Sequence, residues 1–165
     1  MKSALSKPTP GDRWSGAGWA LALAAVLVLL VPAVLPPFVG PGVRAVLHAA
    51  FDPFCHQLAD RSFAVGGVPL ALCHRCTGVV AGLALGALAL PGLRRWLAGF
   101  ARYEGLWVLV AVVPAALDWG GGVLGLWANT VGSRFATGLW FGLVIGVLFA
   151  RALAVRRARP APASP

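Results

Sequence analysis

The chain has 165 residues, of which 59% are hydrophobic and 12% charged, and its mean hydropathy is +0.80. An ordinary soluble domain carries about 25% charged residues, and a soluble core of this size has no room for so much apolar surface. A disordered chain, a coiled coil and a typical soluble enzyme are therefore excluded. The net charge of +9, from 14 Lys and Arg against 5 Asp and Glu, is of the kind nucleic-acid binders carry. Here, however, the bases punctuate apolar runs instead of sharing a face, so lipid headgroups are the expected anionic partner and nucleic acid is not.

In chain order, residues 15–43 carry no charge, and their apolar heart, 17–35, is long enough to cross about 30 Å of hydrocarbon as a helix. Pro36 and Pro37 stop it. A long basic segment precedes this run and no Ala-x-Ala site follows at the required distance, so it is read as an anchor that is retained, not a cleaved signal. Residues 43–51 form a short amphipathic stretch, read as lying on the interface, with His48 as a wet surface histidine. Further charge-free runs follow at 77–93, 105–117 and 135–150. The expected fold is an all-α integral membrane bundle of four transmembrane helices near 17–36, 75–93, 104–126 and 134–154, with no strand alternation. Residues 1–155 are read as one transmembrane domain, with the loop 37–74 packed over one end of the bundle. The basic Ala/Pro tail, 156–165, is read as disordered.

The bases set the orientation. Lys2, Lys7, Arg13, Arg94, Arg95, Arg102, Arg151, Arg156, Arg157 and Arg159 fall on one side, which the positive-inside rule makes cytoplasmic, together with both termini. The chain is thus expected to be a multi-pass protein of the inner or plasma membrane. Arg44, Arg61, Arg75 and Arg134 fall on the other side, and at least the last three invite a local explanation.

An internal repeat links the second and fourth spans. Thr77-Gly78-x3-Gly82-x3-Gly86 aligns without gaps on Thr137-Gly138-x3-Gly142-x3-Gly146, with Arg75 and Arg134 just ahead of each threonine. Glycines four apart let another backbone approach closely. The repeat also suggests two helical hairpins, spans one-two and three-four, related by an axis along the membrane normal. Thr77 and Thr137 are read as near cap positions, where helix N-termini and arginines together suit an anion such as an acidic lipid. The plainer reading has the threonines cap and the arginines snorkel.

All three cysteines lie in Cys55-His56-Gln57 and Cys73-His74-Arg75-Cys76. A Cys-x-x-Cys with a distant Cys-His pair is a four-ligand set of the kind that holds zinc, with His56 or His74 as the nitrogen. A disulfide or a redox couple competes, since thiols outside the cytoplasm tend to be oxidised, and so does simple burial. Sulfurs that converge with a histidine would favour a metal; sulfurs that converge without one would favour a disulfide. Asp118, deep in the third span, needs a partner, because a carboxylate there costs at least about 2.5–3.5 kcal/mol. Arg75 or Arg134 is the natural one. A role for Asp118, Arg75 and Arg134 in catalysis is the sharper alternative. Arg61, Ser62, Thr77, Asn129, Arg134 and Thr137 complete the polar set at that end.

At these residues the sequence resembles an uncharacterised prokaryotic membrane-protein family, domain of unknown function 2085. The matching words are Cys-His-Gln followed by Arg-Ser-Phe, then Cys-x-Arg-Cys-Thr-Gly, an Asp-containing span, and Asn129 with Arg134 and Thr137-Gly138. The resemblance covers about residues 50–146. It implies a small residue in the slot of His74, which favours His56 as ligand, and it brings no activity with it. Three readings follow: a zinc site that holds the loop to the bundle or activates water, a membrane thiol–disulfide oxidoreductase using Cys73 and Cys76, or a small transporter or channel subunit acting as a homo-oligomer. Whether the protein is an enzyme is left open by all three.

Overall fold

The structure, a computed structural model, describes residues 13–98 and 103–156. The Ala/Pro tail beyond Arg156, Arg102 and the N-terminal lysines lie outside the described residues. Among the described residues, four helices are long and apolar enough to cross a membrane, Gly16–Val34, His74–Arg94, Gly105–Val123 and Val131–Ala154. They belong to α1 (Gly16–Val34), α3 (His74–Ala98), α4 (Glu104–Val123) and α5 (Val131–Ala154). The chain is thus a mostly helical, four-span membrane protein.

The two ends of the bundle differ. At one, β1 (Arg13–Trp14) pairs antiparallel with β4 (Val155–Arg156), and the Ser15 N–H donates to the Ala154 carbonyl at 2.7 Å. This ladder ties the segments flanking the first and last spans together. The Arg94 guanidinium lies 5.4 Å from the Trp14 ring centroid, a cation–π contact. At the other end, the stretch between α1 and α3 forms a cap. It holds α2 (Pro41–Phe51) and a hairpin of β2 (Ser62–Val65) and β3 (Val68–Cys73).

The hairpin adds two short strands to the expected helical bundle. Gly66 and Gly67, both at positive φ (58° and 79°), make the two-residue turn that suits the twist of paired strands. The strands are too short to announce themselves by alternation, but the Gly-Gly pair between apolar runs was a readable signal. The starts of two spans also move: α3 begins at His74, which puts Thr77 inside its first turn and not at the cap, and α5 begins at Val131. Thr130, not Thr137, caps α5, in a reciprocal box with Ser133: the Ser133 N–H donates to Thr130 Oγ1 at 3.0 Å and the Thr130 N–H to Ser133 Oγ at 3.1 Å. Thr137 lies in the second turn, where its hydroxyl donates back to the Ser133 carbonyl at 2.7 Å.

The centre of the bundle is the α3–α5 pair. A Cβ on Gly78, Gly82 or Gly86 would run into the backbone of Phe135, Leu139 or Leu143, and one on Gly138, Gly142 or Gly146 into that of Arg75, Val79 or Leu83. Numbers rise together on both helices, so the pair is parallel, and each stripe seats on the other. The two-fold relation read from the repeat therefore holds for these two helices. It does not extend to whole hairpins: α1 lies against both α3 and α5, whereas α4 packs along α5 and scarcely touches α3.

Three prolines lie inside spans, Pro32, Pro91 and Pro114, and the last two are each answered by a tryptophan. Pro91 in α3 has no N–H to offer the Ala87 carbonyl, four residues earlier. The Trp19 indole N–H, from α1, donates to that carbonyl at 2.8 Å. Pro114 in α4 likewise frees the Val110 carbonyl, which takes the Trp140 indole N–H from α5 at 3.0 Å. In hydrocarbon no water would do this.

Gly82→Leu and Gly142→Leu should each cost about 1–3 kcal/mol by forcing backbones apart, read as a lowered melting temperature in detergent. An unchanged melting temperature in both would refute the seam as the centre of packing. Trp19→Phe and Trp140→Phe should each cost about 1–3 kcal/mol, the cost of a stranded carbonyl, with the loss largely abolished when Pro91 or Pro114, respectively, is first replaced by Ala.

Candidate functional site: three thiols and a polar lock

The thiols come from two anchored pieces of backbone. Cys73 ends β3 and immediately precedes α3; Cys76 lies in the first turn of α3. Cys55 follows α2, and its N–H donates to the Phe51 carbonyl at 3.0 Å. The Cys73 N–H donates to Cys55 Sγ at 3.2 Å, which draws the two pieces together. All three thiols are free, and their sulfurs lie within 4.8 Å of one another. Cys55 is buried and packs with Ala33 and Leu72, while Cys73 and Cys76 are half-buried. Hydrogen bonding from the Cys76 thiol, with further bonds from the backbone of Cys76 and Arg75 and from Cys55, pulls the Cys73 thiol down to about 5 against the opposing effect of burial. A sulfur just ahead of a helix, facing its first N–H groups, is the setting that favours thiolate.

The histidines do not join the sulfurs. His56 is exposed and lies outside the three-sulfur group. His74 is buried, with its ring edge-on to Phe63 (centroids 4.5 Å apart), and Phe63 in turn meets Phe135 of α5 at 5.6 Å. Its Nδ1 has no hydrogen-bond partner. His48, read as a wet surface histidine, is half-buried and bonded to Gln57.

A second group of polar residues sits beside the thiols. Asp118 of α4 is buried, 8% exposed, and pairs with the Arg75 guanidinium. Asn129 Nδ2 donates to the Asp118 carbonyl at 2.7 Å and to its carboxylate at 3.0 Å. The loop after α4 can fold back this far because Gly122 offers no side chain: a Cβ there would strike the Asn129 amide. Beneath Arg75 lies an apolar crevice of about 340 Å3 between α3, α4 and α5, walled by Val79, Val112, Trp119 and Phe141.

The remaining residues of the polar set are dispersed. Arg134, in the first turn of α5, is half-buried and takes no part in the Asp118 pair. Arg61 is exposed and pairs loosely with Asp60 at 3.6 Å. Ser62 is buried and donates to the Leu58 carbonyl at 2.9 Å, and Thr77 donates to the Leu72 carbonyl at 3.2 Å. Gln57 and Phe63 contribute contacts that no spacing rule singles out.

Comparison with known proteins agrees with a membrane protein. Residues 55–148 match the family described as "Predicted membrane protein (DUF2085)", a stretch that begins at Cys55 and ends within α5. The "Uncharacterized protein MJ1492" of Methanocaldococcus jannaschii is 30% identical over 103 residues, which is 62% of this chain. The chain spans 65% of the length of that relative. No solved structure matches. With more than half of its length matched, the chain belongs to the DUF2085 family of predicted membrane proteins.

Proposed function

We propose that the three thiols form a zinc centre that fastens the cap to the bundle. The observation that carries this is the three-way convergence of the sulfurs within 4.8 Å. Convergence without a histidine is the arrangement expected to favour a disulfide, and it is outweighed here because a disulfide uses two sulfurs and leaves the third without a partner. A thiophilic ion uses all three. Cys55 belongs to the cap, and Cys73 and Cys76 to the start of α3, so an ion held by all three would join the two. Its binding energy would add to folding energy. Three thiolates and no fourth ligand in the set leave a position for water or an exogenous group.

A second reading rests on Cys73. With its thiol held low at the head of α3, Cys73 suits attack on a substrate disulfide. Cys76 would then displace the substrate's second sulfur, leaving Cys73 and Cys76 as a disulfide and the substrate as a dithiol. The channel reading has less support. The glycine stripes are consumed in the α3–α5 contact and line no path. An anionic lipid as ligand is also weakened at Arg75, whose charge already answers Asp118.

The orientation we propose has both termini and their bases in the cytoplasm, and the cap outside in the cell membrane. It is supported by what three of the four bases of the capped end do. Arg44 donates to the Pro36 and Val39 carbonyls, both at 3.1 Å, Arg61 pairs with Asp60 and Arg75 with Asp118. Bases occupied in this way are an intelligible exception to the positive-inside rule.

Metal analysis with thiol counting on purified protein tests the centre. One zinc per chain with three protected thiols is expected, and Cys55→Ser should abolish stoichiometric loading. Metal-free protein with a disulfide that dithiothreitol opens would replace the first reading with the second. For the orientation, reporter fusions after Leu97 and Ser164 should read cytoplasmic and one near Gly67 extracytoplasmic. A cytoplasmic signal at Gly67 would overturn it.

A further inference from the structure

Gln57 is the one non-glycine residue at positive φ, 47°, among the described residues. Side chains other than Asn, Asp and Gly enter this region at a cost of about 1–2 kcal/mol, so something must hold it there. Its side chain is bonded twice to one residue of α2. Gln57 Nε2 donates to the His48 carbonyl at 2.7 Å, and Gln57 Oε1 lies 2.7 Å from His48 Nδ1. The first bond fixes which end of the amide is which. The oxygen can only accept, so His48 Nδ1 carries the proton of the second bond.

Cys55 lies between two fixed points. Before it, its own N–H is held by the Phe51 carbonyl at the end of α2. After it, the chain reverses at Gln57 and is tied back to His48, one turn earlier on the same helix. Cys73 and Cys76 owe their positions to β3 and α3 and need neither bond. We propose that His48 and Gln57 are a positioning pair for Cys55, which set the third thiol against the other two. Without the pair the left-handed residue relaxes, the chain leaves Cys55 in another direction, and the Cys55 sulfur withdraws from the Cys73 N–H. The inference concerns the thiol cluster itself; only its metal-affinity arm rests on the zinc reading.

The test uses the full chain in detergent, with Gln57→Ala, His48→Ala, their double variant and Gln57→Gly. Peptide mapping follows N-ethylmaleimide labelling of each cysteine in metal-free protein, and chelator competition measures zinc affinity. Gln57→Ala, which removes both bonds, should speed labelling of Cys55 about tenfold and leave Cys73 and Cys76 unchanged; His48→Ala, which leaves the bond to the His48 carbonyl in place, should speed it by a smaller factor. Zinc affinity should fall about 10-fold to 100-fold, as when ligand-orienting partners are lost. The double variant should be no worse than Gln57→Ala alone, since that substitution already removes both bonds. Gln57→Gly, which removes the bonds and the strain together, should fall between Gln57→Ala and the natural chain. Unchanged Cys55 labelling, an equal rise at all three cysteines, or additive effects in the double variant would each overturn the proposal. If the natural chain takes no zinc while Cys55 labelling still responds as described, the metal reading fails and the positioning pair stands.

Discussion

Helices dissolved in hydrocarbon gain little by hiding apolar side chains from one another, because lipid tails are as apolar as leucine. What they gain comes from close contact, and the α3–α5 seam obtains it by removing side chains altogether. Six glycines bring two parallel backbones together along three turns. Part of the polar and thiol groups at the capped end is referred to this seam. Arg75 and Cys76 lie just ahead of Gly78 on α3, and Ser133 and Arg134 just ahead of Gly138 on α5. Cys76, Arg75 and Arg134 therefore take their relative placement from a contact that contains no polar side chain, while Cys55 reaches them from the cap and Asp118 from α4.

The lock does for α4 what the seam does for α3 and α5. α4 has no glycine stripe against α3, and between them the structure leaves a crevice. The Asp118–Arg75 pair bridges that gap at its upper edge, and the Asn129 bonds hold Asp118 from the loop after α4. Each charge is affordable only because the other is there, since an unpaired carboxylate in a membrane interior is costly. A catalytic role for Asp118 would have to be drawn from a carboxylate already occupied by a guanidinium and an amide.

Much of this is legible in the sequence. Charge-free runs of helical length reveal the spans because hydrocarbon thickness imposes a hard minimum. The Gly78 and Gly138 repeats reveal the seam because only glycine permits such contact. The meeting of Cys55 with Cys73 and Cys76 is foreseeable from their shared end of the bundle. What escapes is set by single torsions. His56 follows Cys55 directly, and with Cys55 turned into the packed cluster its neighbour is left exposed. The start of α5 depends on a reciprocal pair at Thr130 and Ser133, a weaker signature than the Arg-Thr-Gly repeat four residues on. The hairpin rests on two glycines in a stretch otherwise dominated by apolar runs. Gln57 takes a conformation that glutamine alone would not announce, and only the partner at His48 explains it.

The tryptophans opposite Pro91 and Pro114 constrain the order in which this chain can change over generations. A carbonyl oxygen has two lone pairs, so replacing the proline first restores an amide N–H while the indole still finds an acceptor. Replacing the tryptophan first strands the oxygen in hydrocarbon. Drift away from either pair is thus a one-way street that begins at the proline. Among relatives, a chain that retains the tryptophan without the proline would mark an intermediate on that route, and the reverse combination should be rare.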